Sequence, residues 1–194
     1  MRNTLWLVGD YANTTKRQQQ AAKAGCAVTI DFHFNSNGST ATGGEVWFKP
    51  NDDASENLAA AILQGYSTVG LPVRGTNSAD PGTRAAFIRH YQSPAVLTEP
   101  LFVSNKTQAQ WIHNPDNVSA LARVIAAALE DATKPGDLIG LSIGHRCKTS
   151  EPNDTGAACI LGDTEATHGI ALALAVAALL AGGTVEPPAC AKIG

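Results

Sequence analysis

Two histidines and two glutamates could do chemistry together in this sequence, although they lie far apart along the chain. His33 and His145 each end an apolar stretch, Glu99 ends another, and Glu165 opens a long apolar helix. Two neutral imidazoles and one carboxylate are the ligands of many hydrolytic zinc sites, and a second carboxylate nearby can act as general base and acid. These four residues therefore predict a hydrolytic Zn²⁺ centre.

The elements that must position these residues alternate between strand and helix. The predicted strands cover residues 4–8, 26–34, 43–49, 93–99 and 137–145, and the predicted helices cover residues 15–24, 55–65, 115–131 and a long segment from 165. This alternation predicts an α/β fold, with a mainly parallel twisted sheet flanked by helices on both faces. Because functional groups in such folds gather at the carboxyl ends of the strands, we expect all four side chains at one sheet edge.

Several boundaries follow from local signals. Ser55 is predicted to cap the second helix, and Asp163 or Thr164 is predicted to cap the last one. Residues 71–80 contain several turn formers and are predicted to be a loop, whereas residues 87–91 form a short element.

Length and charge limit the classes of function. A chain of 194 residues that is 44% hydrophobic predicts one domain over residues 1–194. The net charge is −3 and the basic residues are scattered, so we expect no nucleic-acid partner.

The apolar run at 169–185 is rich in alanine and short for a membrane span, which favours a buried core helix. The first ten residues lack a secretory signal pattern, so we expect synthesis in the cytoplasm.

The four cysteines, Cys26, Cys147, Cys159 and Cys190, form no C-x-x-C pair. This argues against a thiolate zinc site or a redox motif. A bridge between Cys147 and Cys159 could close the loop after His145, but free thiols are the default in a cytosolic product.

Each candidate site residue also has a purely structural interpretation. His33 or His145 could simply cap a backbone group at a strand end, and Glu165 could merely complement the dipole of its helix. Glu99 precedes Pro100 and could be a solvated strand end, although its apolar approach favours a partly buried carboxylate.

The other histidines have different expectations. His168 lies one helical turn after Glu165 and is a rival metal ligand on the same helix face. His90 and His113 lie in polar contexts and are expected at the surface.

Two segments resemble the zinc-dependent N-acetylmuramoyl-L-alanine amidases of the LytC/AmiC type. Residues 93–105 read SPAVLTEPLFVSN and resemble that family's P-A-V-L-x-E-x-G-F-x-S-N. Residues 17–35 read RQQQAAKAGCAVTIDFHFN and are similar to the family's arginine, helix and strand that lead to S-x-H-x-N. The resemblance implies that Glu99 is the catalytic glutamate and that His33 binds zinc. Arg17 and Asn35 are expected to brace the site.

The order of the segments differs from that family. The family begins with a strand that ends in G-H-G-G, followed by a glutamate ligand that opens the first helix. Here the similar block, IGHRC at 143–147 followed by Glu165, comes last. The resemblance therefore implies an amidase fold with circularly permuted strand order and the zinc ligands His33, His145 and Glu165, with His168 outside the ligand set. Permutation requires that strands 4–8 and 138–143 share one sheet.

The resemblance implies a bacteriolytic, monomeric peptidoglycan hydrolase that cuts the amide between N-acetylmuramic acid and L-alanine. We expect the protein to be a phage endolysin. A holin would release it to the wall, without stable membrane insertion of the protein itself. The open alternatives are a host recycling enzyme, a silent wall-binding module on the same fold, and another zinc-dependent peptidase or amidase. A serine esterase, suggested by Gly9 and Asp10, is disfavoured because Tyr11 stands in the place of the nucleophile.

Overall fold

The computed structural model describes residues 1–8, 16–148, 151, 153–186, 188 and 190. The predicted turn at 9–13, with Tyr11, and the predicted helix start at residue 15 lie outside the described residues.

A six-stranded sheet forms the centre of the domain. Its strands are β1 (Asn3–Leu7), β2 (Val28–Phe32), β3 (Gly44–Phe48), β4 (Val73–Ser78), β5 (Ala95–Glu99) and β6 (Leu138–Ile143). Their order across the sheet is β1-β6-β2-β5-β3-β4. The first four strands in that order are parallel, β3 is antiparallel to β5, and β4 is parallel to β3. The predicted mainly parallel sheet is confirmed.

In the described part of the chain, five α-helices and one 3-10 helix accompany the sheet. They are α1 (Lys16–Ala24), α2 (Asp53–Thr68), α3 (Lys106–Ile112), α4 (Pro115–Asp131), α5 (Glu165–Ala181) and the 3-10 helix (Ala86–His90). Among the described residues, no helix is both long and apolar enough to cross a bilayer.

Alternating strand residues face two separate hydrophobic clusters. Val28, Ile30 and Phe32 of β2 point into the larger cluster, which α2, α4 and α5 cover. On the opposite face, Ala95 and Leu97 of β5 pack with residues from α1 and the 3-10 helix. The period-two alternation of strand side chains thus gives the sheet two buried faces, and helices lie on both.

Two elements differ from the sequence expectations. The segment predicted as a loop contains β4, an edge strand whose sequence VRGTNS lacks apolar alternation. Helix α3 was not predicted, because it has only seven residues; Asn105 caps it by accepting hydrogen bonds from the next backbone N–H groups.

Local chemistry also corrects two smaller expectations. Asp52, not Ser55, caps α2, and its Oδ1 accepts the Ser55 N–H at 2.9 Å. A disulfide joins Cys147 to Cys190 rather than to Cys159, while Cys26 and Cys159 are free and buried. The loop after His145 is therefore tied to the carboxyl-terminal segment.

Candidate metal centre

The parallel register of the sheet brings the candidate residues to one edge. Phe32 of β2 is paired with Ile143 of β6 on one side and with Thr98 of β5 on the other. His33 and Glu99 follow these pairs directly, and His145 follows two residues after Ile143. Residues from three distant segments therefore meet where three adjacent strands end.

Glu165 joins the two histidines from the first turn of α5. His33 Nδ1 lies 2.9 Å from Glu165 Oε1, and His145 Nε2 lies 3.3 Å from Glu165 Oε2. One ligand atom from each residue lies within 4.8 Å of the others, which forms a group that could hold a metal ion. We call His33, His145 and Glu165 the first cluster.

A carboxylate is hydrogen bonded to the outer nitrogen of His145, whose Nδ1 lies 2.8 Å from Asp154 Oδ2. Metal-binding histidines usually have such a partner, which orients the ring and increases its basicity. Asp31 Oδ1 lies near the outer nitrogen of His33 but at 3.7 Å, which is longer than a hydrogen bond. The donor set and the Asp154 carboxylate both fit a zinc ion bound between the three residues.

The electrostatics favour a negative Glu165 next to positive or donating imidazoles. Burial opposes the charged form of Glu165, but hydrogen bonds and charges from His145 and His33 outweigh it and hold the pKa of that carboxyl well below its usual range. Burial also opposes protonation of His145, yet Glu165 and Asp154 raise its pKa overall. The backbone N–H groups of Phe34 and Ala157 donate to Glu165 at 3.2 and 3.0 Å.

Two glycines leave the space that this arrangement needs. A Cβ at Gly144 would lie 2.5 Å from Cε1 of His33. Gly156 has a φ of +71°, and a Cβ there would lie 2.6 Å from Glu165 Oε2 and 2.7 Å from Cδ2 of His145. Side chains at these positions would displace the first cluster.

Glu99 lines the same cavity as the first cluster. This cavity measures about 440 Å³, and its lining includes His33, His145, Glu165 and Glu99. Asn35 Nδ2 donates to Glu99 Oε2 at 2.8 Å. Burial raises the pKa of the Glu99 carboxyl; His33 opposes the rise, and the negative charges of Glu45 and Glu165 add to it. A partly buried carboxylate therefore faces the candidate metal position.

Arg17 and Asn35 lie in bracing positions. Arg17 is almost fully buried; it donates to the Ser142 hydroxyl and, at 3.1 Å, to the Ile143 carbonyl. These bonds hold the end of β6, from which His145 projects. Asn35 holds the Glu99 carboxylate, as described above.

His168 does not contact the first cluster in the way that the rival interpretation requires. Its Nε2 instead lies 3.1 Å from Asp163 Oδ2, in a group with His113 and Cys159. We call His113, Cys159, Asp163 and His168 the second cluster. This cluster was not predicted. Its local signal is the C-x3-D-x4-H spacing of the last three members, whereas His113 comes from a distant segment at the end of α3.

Comparisons with known proteins agree with this architecture. A family model described as N-acetylmuramoyl-L-alanine amidase (Amidase_3) matches residues 7–131. No curated protein sequence matches the chain significantly.

Solved amidase structures match part of the chain. The catalytic domain of CwlV, an N-acetylmuramoyl-L-alanine amidase from Bacillus (Paenibacillus) polymyxa var. colistinus, is 25% identical with a TM-score of 0.53, over 60% of this chain and 63% of that one. An N-acetylmuramoyl-L-alanine amidase from Clostridium difficile 630 is 27% identical with a TM-score of 0.53, over 59% and 61%.

A third structure supports the fold alone. Cwp6 from Clostridium difficile is 20% identical with a TM-score of 0.57, over 61% of this chain and 20% of that one. In all three cases the chain spans less than two thirds of the matched structure. The family match covers more than half of this chain, so the chain belongs to the N-acetylmuramoyl-L-alanine amidase family.

Proposed function

We propose that this protein is a zinc-dependent hydrolase that cuts the amide bond between N-acetylmuramic acid and L-alanine in peptidoglycan. One observation carries the proposal. His33, His145 and Glu165 come from three separate segments and lie within 4.8 Å of one another, in the wall of a cavity that Glu99 shares. Membership of the amidase family supplies the bond and the substrate class.

We assign the ligand roles to the first cluster. His33 would bind the metal through Nδ1 and His145 through Nε2, since these are the nitrogens that face Glu165. Bound zinc would polarise the scissile carbonyl and lower the pKa of a water to about 7. Asp154 would hold the ring of His145 in orientation through its outer nitrogen.

Glu99 is proposed as the general base and acid. Its raised pKa brings the carboxyl closer to neutral pH, which favours a group that must both accept and return a proton. Asn35 holds one carboxylate oxygen. Glu99 would take a proton from the attacking water and then give it to the amine of L-alanine as the amide breaks.

We also propose that the chain is a circular permutation of the family fold. β1 lies beside β6 in parallel register, as the permutation requires. The family match ends at residue 131, before His145 and Glu165, and those two residues nevertheless lie next to His33. A displaced first strand and helix would explain both facts.

The cell wall is the proposed place of action. A phage origin, holin-dependent release and a monomeric state remain predictions from the sequence.

Digestion of purified peptidoglycan tests the proposal. Mass analysis should show newly freed L-alanine amines; a chelator should abolish them and added zinc should restore them. His145→Ala should lose the activity, whereas His90→Ala, which alters an exposed histidine, should keep it.

Each alternative has its own result. New reducing sugar ends would indicate a glycosidase, and intact peptidoglycan that binds the protein would indicate a silent wall-binding module. Digestion that resists the chelator would contradict the zinc mechanism.

A further inference from the structure

We infer that the second cluster is a structural zinc site, separate from the proposed catalytic centre. His113, Cys159, Asp163 and His168 each offer one ligand atom within 4.8 Å of the others. The set contains one thiol, two imidazoles and one carboxylate. All four are common zinc ligands, and four protein ligands make the closed type of site that zinc occupies for structural reasons.

The spacing of the ligand atoms suits a tetrahedral ion. His113 Nε2 lies 3.3 Å from Asp163 Oδ2, and His168 Nε2 lies 3.1 Å from the same oxygen. Zinc bonds to nitrogen and oxygen of about 2.0–2.1 Å give ligand-to-ligand distances of roughly 3.3–3.4 Å in a tetrahedron. The observed separations are close to this value, so only small adjustments would admit the ion.

His113 is oriented with its Nε2 toward the second cluster. Its Nδ1 lies 2.6 Å from the carbonyl oxygen of Ala109, one turn earlier in α3. A carbonyl can only accept, so Nδ1 donates, and this bond holds the ring with Nε2 at 3.3 Å from Asp163 Oδ2. A backbone carbonyl that accepts from the outer nitrogen is a usual partner of metal-binding histidines.

The thiol completes the set from the buried side. Cys159 is free and 5% exposed, and its backbone N–H donates to the Asp163 carbonyl at 2.9 Å. His168 is 6% exposed, whereas His113 and Asp163 reach solvent and leave a path for the metal. On binding, the Cys159 thiol would release its proton to solvent and ligate as the thiolate. A thiolate with imidazoles selects zinc over magnesium or calcium.

Such an ion would link three segments of the fold. His113 ends α3, Cys159 lies in the loop before α5, and His168 lies inside α5. Asp163 is two residues before Glu165. The second zinc would therefore brace the loop that presents Glu165 to the first cluster.

Cobalt substitution tests the site without any reference to enzyme activity. Thiolate-bound Co²⁺ gives a near-ultraviolet charge-transfer band that nitrogen and oxygen ligands do not give, so the band reports the second cluster alone. The protein is kept free of reductant, so that Cys147 and Cys190 stay joined. The His145→Ala variant should retain the band, which separates this test from the proposed amidase function.

Matched variants locate the thiol. Cys159→Ser should lose the band and Cys26→Ser, which alters the other free buried thiol, should keep it. Zinc content should be two ions per chain in the wild type and one in either Cys159→Ser or His145→Ala.

Substitution of an exposed ligand tests the site with little risk that the variant fails to fold. His113→Ala should weaken Co²⁺ affinity at this site by at least tenfold, with an unchanged circular dichroism spectrum. Absence of the band in the wild type, its persistence in Cys159→Ser, or unchanged affinity in His113→Ala would overturn the assignment.

Discussion

The two clusters of candidate metal ligands both include residues from the start of α5, yet they are built differently. The first cluster has three groups and lines a cavity of about 440 Å³. The second cluster has four groups, including a thiol, and two of its members are buried. Catalytic zinc sites keep one position open for water or substrate, whereas structural sites are closed by four protein ligands. This difference fits the catalytic role proposed for the first cluster and the structural role proposed for the second.

The groups that contact the outer nitrogens of the histidines also differ between the two clusters. The Asp154 carboxylate contacts the outer nitrogen of His145, whereas the Ala109 carbonyl contacts that of His113. A negative partner increases the basicity of a ligating imidazole more than a neutral one does. The two clusters thus share ligand types but not electrostatic surroundings.

The largest expected effect breaks the reaction and leaves both clusters intact. Glu99→Gln should lower amidase activity by roughly 10²–10⁴-fold, because the amide cannot accept the proton of the attacking water. The glutamine oxygen can still accept from Asn35, so the local structure should persist. Turnover on peptidoglycan and zinc content by mass spectrometry measure the two quantities.

A matched substitution controls for the loss of one charge. Glu56 is exposed in the first turn of α2, and Glu56→Gln should keep full activity. Full activity in Glu99→Gln would remove Glu99 from the mechanism, and loss of zinc in that variant would make Glu99 a ligand rather than a base.

Most of the parallel sheet could be predicted from the sequence, because apolar runs and helix caps are local signals. The strand ends at His33, Glu99 and His145 were visible for this reason, and so was the helix start at Glu165. β4 could not be found, since an edge strand is held by pairing with β3 and needs no apolar alternation of its own.

The two clusters differ in the same way, because one depends on local sequence signals and the other on tertiary packing. The first cluster could be proposed because each member ends or opens a recognisable element and because two segments resemble a known family. The second cluster depends on the packing of α3 against the loop before α5, and α3 itself was not predicted. The disulfide of Cys147 likewise depends on where the distant Cys190 lies in the fold.

A smaller effect is expected at Gly156, where a substitution should affect metal binding at the first cluster and not at the second. Gly156→Ala places a Cβ against Glu165 and His145, so it should weaken zinc binding at the first cluster by about tenfold or more, in the range typical of disturbed ligand support. The left-handed backbone should add a cost of about 1–2 kcal/mol in unfolding free energy. The cobalt band of the second cluster should not change.

Gly25 offers a close control for this backbone cost. Its φ of +70° matches the +71° of Gly156, and among the described residues, apart from its two chain neighbours, no atom would lie within 4 Å of a Cβ at Gly25. Gly25→Ala should lose similar stability in thermal denaturation yet keep normal zinc affinity and activity. Equal loss of zinc in both variants would show that the effect at Gly156 is general destabilisation.

The smallest expected effect is a pH-dependent change in stability at the reactive cavity. Burial raises the folded-state pKa of Glu99 above its ordinary 4.5, so the charged carboxylate destabilises the fold at neutral pH. This cost falls as pH drops through the raised pKa and is absent below about 4.5, where the group is protonated in both states.

In zinc-free protein, Glu99→Gln should therefore unfold at a temperature a few degrees higher than wild type at pH 7, and the two curves of unfolding temperature against pH should converge in acid. Glu56→Gln, on the exposed helix, should show no such convergence. A constant difference between wild type and Glu99→Gln at all pH values would mean that burial does not raise the pKa of Glu99, and the proposed role of Glu99 as general base and acid would lose its electrostatic support.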